Sequence, residues 1–156
     1  MSPKPTSNQS RWQFFVLWFS LGWGGLHMAH GSVPVETRVQ AVLVWGTNES
    51  KPAGKNLKEL DIKLREKLAN IFKWHNYFEV NRQTVGVLAS KPQIVKLSDE
   101  CSVEVRTLPE NQAEVKLIGR GKTLVTRRHS LAKPDALVLA GDDKNNTAWF
   151  VVLHFN

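Results

Sequence analysis

The chain has 156 residues, with 21 Lys and Arg against 14 Asp and Glu, 42% apolar residues and a single Cys. A chain of this length provides enough residues for one domain of ordinary size. Its apolar and charged fractions exclude a disordered or collagen-like chain, and the single Cys excludes a disulfide framework.

The first 31 residues have the pattern of a secretory signal peptide. Lys4 and Arg11 form a basic start, residues 12–23 (WQFFVLWFSLGW) form an apolar centre, and a small-x-small step (AHG) follows. These three parts in this order are typical of a cleaved export signal. We therefore expect cleavage after Gly31, or else after Ala29, and a periplasmic or secreted location.

The alternative for the N-terminal segment is an uncleaved membrane anchor. No charged residue occurs between Arg11 and Glu36, so the uncharged stretch reaches the roughly 20 residues that a spanning helix needs. The glycines and histidines in its second half favour cleavage instead, and cleavage would leave no stable membrane span. Residues 32–37 are then expected to be a flexible lead into a single β-rich domain at 38–156.

The first part of the expected domain combines a strand, a loop and a helix. VQAVLVW (39–45) is β-branched and almost continuously apolar, which predicts a strand buried on both faces. GTNESKPAGKN (46–56) predicts a loop. Asn56 with Glu59 three residues later predicts a capping box and an amphipathic helix over 57–72. The apolar stripe of this helix consists of Leu57, Leu60, Leu64, Leu68 and Ile71.

Beyond Tyr77 the polarity of the side chains alternates with a period of two, as it does in half-buried strands. The predicted strands are 77–88, 92–97, 101–108, 112–118, 122–131, 135–140 and 147–155. The last two are apolar on both faces, so we expect them to form a central hairpin beside the strand at 39–45.

The strands at 101–108 and 112–118 predict a hairpin with a defined register. A three-residue turn at Pro109-Glu110-Asn111 pairs Val105 with Val115 and Val103 with Leu117 on one face, and Arg106 with Glu114 and Glu104 with Lys116 on the other. Apolar pairs and opposite-charge pairs stabilise neighbouring strands.

These elements predict a mainly β (α+β) fold. We expect an antiparallel β-sandwich or a partly open barrel of about seven to eight strands, with one amphipathic helix packed on it.

A basic stretch at 116–133 is the first candidate binding site. Its cationic side chains are Lys116, Arg120, Lys122, Arg127, Arg128, His129 and Lys133, and the stretch has no Asp or Glu. Such a single-sign patch is typical of surfaces that bind a polyanion, here a glycan, a lipid headgroup or a nucleic acid. The simpler interpretation, which we favour, is an edge strand whose charges prevent aggregation.

An aromatic cluster at the expected end of the helix is the second candidate. Trp74, His75, Tyr77 and Phe78 could stack against a sugar or a peptide. A joint between a helix and a sheet also needs large side chains to fill it, and we favour that interpretation.

We predict no catalytic residue, no metal site and no cofactor. GRGKT (119–123) lacks the earlier Gly of a phosphate loop and precedes an alternating strand, so it predicts a glycine turn. Cys101 could be paired with His129 or His154, but no nucleophile pattern surrounds it. We expect Cys101 to face inward as a small apolar residue.

Two runs, FKWHNYFEVN (72–81) and LVLAGDDKNNTAWFVVL (137–153), resemble small, uncharacterised exported bacterial β-rich proteins. The resemblance implies export and a single β-rich unit, and it implies no residue role. We expect an exported, non-enzymatic binding or structural module of the cell envelope, whose partner is an envelope or secreted protein. The alternatives are a polyanion binder using 116–133 and a small hydrolase with an unrecognised site.

Overall fold

Nine strands and one helix form the described part of the chain. A computed structural model describes residues 36–53, 56–89, 91–140 and 147–156. The elements are β1 (Glu36–Thr47), β2 (Lys58–Glu59), α1 (Ile62–Ala69), β3 (Asn76–Leu88), β4 (Gln93–Lys96), β5 (Cys101–Leu108), β6 (Gln112–Gly119), β7 (Lys122–Ser130), β8 (Leu137–Ala140) and β9 (Thr147–Phe155). Within these residues, no helix has the length and apolar character required to cross a membrane.

The strands form two antiparallel sheets. The five-stranded sheet has the order β2-β3-β1-β9-β8, and the four-stranded sheet has the order β4-β5-β6-β7. The predicted mainly β class is therefore confirmed, and two separate sheets make the fold sandwich-like. The eight predicted strands correspond to β1 and β3–β9, and β9 lies beside β1 as predicted. The hairpin β8–β9 is not central, however, because β8 is the edge strand of the five-stranded sheet.

The main core lies between the two sheets. Every second residue of β1 points into it, beginning with Val39, Ala41 and Leu43. The opposite wall consists of side chains from β5 and β6, which are Val103, Val105, Val115 and Leu117. This arrangement follows from the period of two in each strand, because alternate side chains point to the same face of a sheet.

The other face of the five-stranded sheet is covered by α1. Phe150 of β9 and Val42 and Val44 of β1 pack in a second cluster with Leu64 and Leu68 of the helix. Because β1 is covered by the four-stranded sheet on one side and by the helix on the other, the prediction that 39–45 is buried on both faces is confirmed.

The hairpin β5–β6 has the predicted register. Val105 pairs with Val115, and the three residues between the strands include Glu110 and Asn111, both of which have a positive φ. The expected ion pairs form on the outer face: Arg106 Nη2 lies 2.8 Å from Glu114 Oε1, and Lys116 Nζ lies 2.7 Å from Glu104 Oε1. Similarly, the glycine turn predicted at 119–123 joins β6 to β7, with positive φ at Arg120 and Gly121.

The predicted helix bounds of 57–72 are wrong, because α1 covers only Ile62–Ala69. Asp61 caps the helix instead of Asn56, and its Oδ1 accepts a hydrogen bond from Leu64 N at 3.0 Å. Leu57 lies outside the helix and packs with Trp45 and Phe78, while the next two residues pair with β3 as strand β2. Ile71, assigned to the apolar stripe, follows the helix and is 61% exposed.

The predicted loop at 46–56 begins too early, because β1 continues through Gly46 and Thr47. The glycine that suggested a turn is required by packing: a Cβ at Gly46 would lie 2.8 Å from Cε2 of Phe150. The expected flexible lead at 32–37 is also wrong at its end, since Glu36 and Thr37 pair with β3. Residues 32–35 and the predicted signal peptide lie outside the described residues.

Candidate functional site

An open cleft lies between the two sheets at the end where β1 and β6 finish and β5 and β9 begin. Its volume is about 1020 Å³. Ligand pockets in proteins are usually about 300–1,000 Å³, so the cleft has room for a sizeable small molecule. At the other end of the sandwich, the rings of His129 and Phe155 stack across the space between the sheets.

The wall from the five-stranded sheet is apolar and aromatic. Trp45 of β1 pairs with Trp149 of β9, and their ring centroids are 6.3 Å apart. Leu43 and Val151 continue the same face toward the core. The indole of Trp149 is 42% exposed although it lies among buried neighbours, so this wall presents an aromatic surface to the cleft.

The wall from the four-stranded sheet is formed by Cys101, Leu117 and Leu124. Leu124 is 56% exposed, and its Cδ1 occupies the space that a Cβ on Gly119 would need. Burial raises the pKa of the Cys101 thiol, so this group remains neutral at physiological pH. The two walls therefore face each other with uncharged, mainly apolar side chains.

The rim of the cleft is polar, and the described residues that line it include more acids than bases. Glu49 lines one side, and Asp99, Glu100 and Arg120 line the other. Arg120 Nε lies 3.2 Å from Glu100 Oε2. Lys96 Nζ lies 2.8 Å from Asp99 Oδ1, and this contact lowers the pKa of the Asp99 carboxyl.

The cleft can bind a ligand by removing apolar surface from water. Each 100 Å² of apolar surface buried stabilises a complex by about 2.5 kcal/mol before the costs of association. Tryptophan side chains add geometric selectivity, because their flat faces stack on rings and on alkyl groups. The arrangement therefore corresponds to a binding site for a molecule with a substantial apolar part.

The basic stretch at 116–133 is distributed over both faces and both ends of the four-stranded sheet. Lys116 and Arg128 lie on the outer face near Glu104 and Glu114, with Arg128 Nε 3.8 Å from Glu114 Oε2. Arg120 lies in the turn at the cleft. Lys122 begins β7 and is exposed, as is Lys133 beyond its end.

β7 is an edge strand, and two residues of the basic stretch, Arg127 and His129, lie on its inner face. Arg127 is opposite the buried Val115, so it lies on the face that points toward the other sheet, yet it is exposed. An inward-pointing charge at an edge hinders the addition of another strand. His129 lies on the same face and stacks on Phe155, with 5.2 Å between the centroids. This placement suits the edge-strand interpretation, and polyanion binding stays a prediction.

The aromatic cluster is split between core and surface. Trp74 and Tyr77 are 5% and 3% exposed and belong to the cluster beneath the helix. The Tyr77 hydroxyl donates toward the carbonyl oxygens of Leu68 and Phe72 at 3.4 Å each, and burial raises its pKa. Phe78, also buried, packs with Trp45 as described above.

His75 remains at the surface, where its Nδ1 lies 2.7 Å from Asn48 Oδ1. The hollow that His75 and Tyr77 line has a volume of about 140 Å³, too small for an ordinary ligand. Filling of the joint between helix and sheet therefore accounts for Trp74 and Tyr77 better than a stacking platform does.

The structure separates Cys101 from both histidines considered with it. His129 is opposite Ala113, which is opposite Thr107, six residues along β5 from Cys101. At about 3.3 Å per residue this is a separation of roughly 20 Å.

His154 lies on the helix-facing side of the five-stranded sheet, where burial and then the charge of Arg82 lower its pKa. In the described part of the chain, no group of three His, Cys, Asp or Glu side chains could hold a metal ion.

Of the residues that line the cleft, Arg120 belongs to the basic stretch singled out in the sequence, but the two tryptophans were not predicted as site residues. Trp45 lies near the end of one apolar strand and Trp149 near the start of another. They become neighbours only when β1 and β9 are paired in a particular register. Had that register been known, two tryptophans on one face at a strand end would have indicated the site.

Comparison with known proteins gives no further assignment: no protein-family model, curated protein or solved structure matches the chain. The geometry of the cleft is therefore the basis of the function proposed below.

Proposed function

We propose that this protein is an exported, non-enzymatic binding module that holds an apolar ligand in the cleft between its two sheets. The observation that carries the proposal is the cleft itself, about 1020 Å³ in volume, with Trp149 and Leu124 exposed on its opposite walls. Exposed apolar surface in a concave site is typical of ligand-binding or partner-binding surfaces.

The side chains lining the cleft support binding rather than catalysis. Cys101 is a neutral thiol on an apolar wall, and the rim carboxylates Asp99 and Glu100 are ion-paired at the surface. General acid–base chemistry requires a titratable group within hydrogen-bond reach of the reacting atom. The interior of the cleft, as far as the described residues line it, consists mainly of Leu, Val and Trp side chains, together with this thiol and Thr147.

Ligand binding is tested with a neutral apolar dye whose fluorescence increases in apolar surroundings. We expect saturable binding that Leu124→Ala and Trp149→Ala each weaken about three- to tenfold, because each removes apolar contact area from one wall. The matched control is Ile94→Ala: Ile94 is 61% exposed, similar to Leu124 at 56%, but it does not line the cleft. Equal affinities in all four proteins, or no saturable binding, would contradict the proposal.

Export is supported by the N-terminal pattern of Lys4, Arg11 and the apolar residues 12–23. The expected result is a protein outside the cytoplasm that begins at residue 32, or else at residue 30. Fractionation of the producing cells followed by intact-mass measurement tests this. A full-length cytoplasmic protein that retains Met1 would overturn the export part of the proposal without affecting ligand binding.

A further inference from the structure

We infer that the ligand is an amphiphile whose apolar body enters the cleft and whose cationic head, of the alkylammonium kind, stays at the rim. This inference rests on the proposed function and names the class of ligand for the same site.

The charge of the rim favours a cationic head group. Glu49 reaches the cleft from the end of β1, while Asp99 and Glu100 reach it from the segment between β4 and β5. Two of these carboxylates have a cationic partner among the described residues: Arg120 pairs with Glu100 and Lys96 pairs with Asp99, which leaves the charge of Glu49 in excess. The chain as a whole carries a formal charge of +7, so the excess of acid at the mouth opposes the average charge of the protein.

An aromatic surface lines the same cleft as these acids. Thr147 at the start of β9 pairs with Thr47 at the end of β1. Trp149 lies two residues after Thr147, and Glu49 lies two residues after Thr47. Trp149 lines the cleft and is 42% exposed. Tryptophan is the aromatic side chain that attracts alkylammonium groups most strongly, because the electrostatic potential over the face of its neutral ring is negative.

The position of each side chain along the depth of the cleft determines which part of the ligand it contacts. The carboxylates lie at the rim, whereas Leu43, Leu117 and Val151 line the inner part of the cleft. An apolar chain inside would therefore leave its head among the acids. A cationic head gains attraction there, an anionic head is repelled, and a neutral head gains neither.

The test compares three amphiphiles with the same dodecyl chain: dodecyltrimethylammonium, dodecyl maltoside and dodecyl sulfate. Each displaces the neutral dye at a concentration below that at which it forms micelles. We expect the cationic amphiphile to bind about two- to fivefold more tightly than the neutral one, and the anionic one more weakly. Nonspecific attraction to a basic protein gives the opposite order, so the result discriminates between them.

Two variants with opposite expected signs test the role of the rim. Glu49→Gln removes an acid and is expected to weaken binding of dodecyltrimethylammonium about two- to threefold. Arg120→Asn releases Glu100 from its partner and is expected to strengthen that binding by a similar factor. Asn is chosen because Arg120 has a φ of 50°, which Asn adopts more readily than other non-glycine residues. Neither variant is expected to change the affinity for dodecyl maltoside.

The control for these variants is Glu66→Gln, which removes an exposed acid on α1, outside the lining of the cleft. If the anionic amphiphile binds as tightly as the cationic one, or if the two rim variants shift binding in the same direction, the inference on the head group is wrong. Binding that still depends on Leu124 and Trp149 would in that case leave the proposed function intact. If none of the three amphiphiles depends on Leu124 and Trp149 for binding, both the proposed function and the inference on the head group are wrong.

Discussion

Replacing Phe150 with Ala is expected to lower the free energy of unfolding by about 3–5 kcal/mol, the usual cost of removing a buried Phe side chain. Phe150 is 1% exposed and lies between the five-stranded sheet and the helix. Its ring centroid is 4.5 Å from that of Phe72 and 6.1 Å from that of Tyr77. Because Gly46 leaves no side chain to fill the vacated space, the cavity cannot close easily. Denaturant unfolding measures the effect.

The neighbouring residue provides the control for this prediction. Trp149→Ala removes a larger side chain from the opposite face of the same strand, but Trp149 is 42% exposed, so the expected loss of stability is smaller. If Phe150→Ala does not fold, Phe150→Leu keeps most of the volume and is expected to cost about 1.5 kcal/mol or less. A loss below about 1 kcal/mol for Phe150→Ala would show that Phe150 does not anchor the layer beneath the helix.

Replacing Arg82 with Leu is expected to lower the free energy of unfolding by about 2–3 kcal/mol, less than for a fully buried pair because the Arg82 side chain is 34% exposed. Its Nε and Nη2 both bind Oε2 of Glu79, which is 8% exposed, and its Nη1 donates to Gln40 Oε1 at 2.8 Å. Hydrogen bonding to Glu79 is the main cause that raises the pKa of Arg82. Without Arg82, a mostly buried carboxylate loses its counterion.

The double variant Glu79→Leu/Arg82→Leu separates loss of the counterion from loss of packing. Removing both charges leaves no buried ion, so the double variant is expected to be more stable than Arg82→Leu alone. Arg65→Leu is the control, because Arg65 is an exposed arginine on α1, and it should change stability by less than about 0.5 kcal/mol. A double variant less stable than Arg82→Leu would mean that Glu79 stabilises the fold without Arg82.

The strand positions and the hairpin register could be predicted because both depend on local patterns. Alternation of polarity places β3 to β7 within one or two residues, and the turn at 109–111 determines which residues of β5 and β6 are opposite each other. The burial of β1 on both faces was also predictable, since VQAVLVW contains only one polar residue.

The helix start could not be predicted from local pattern alone. Asn56 and Asp61 are both good capping residues, and both precede apolar residues spaced by three and four. The choice between these two helix starts depends on Leu57, which packs with Trp45 and Phe78 when the chain is extended through β2. A tertiary contact thus replaced the first turns of the predicted helix.

The electrostatic surroundings of the basic stretch also could not be predicted fully from local pattern. Within 116–133 there is no acid, but Glu100, Glu104 and Glu114 from the preceding strands and turn approach Arg120, Lys116 and Arg128 in space. The hairpin register already placed Glu104 opposite Lys116. The other two contacts depend on the turn at Arg120 and on the pairing of β7 with β6.

By itself, the sequence determined the β-rich class, the strand positions and the pairing within the hairpin, because periodicity and turn residues act over a few neighbouring positions. Only the tertiary structure decided how the strands divide between two sheets, which aromatic residues are buried under the helix, and where the two sheets leave a cleft. Those outcomes depend on contacts between residues far apart in the chain, such as Trp45 with Trp149, whose pairing no local pattern specifies.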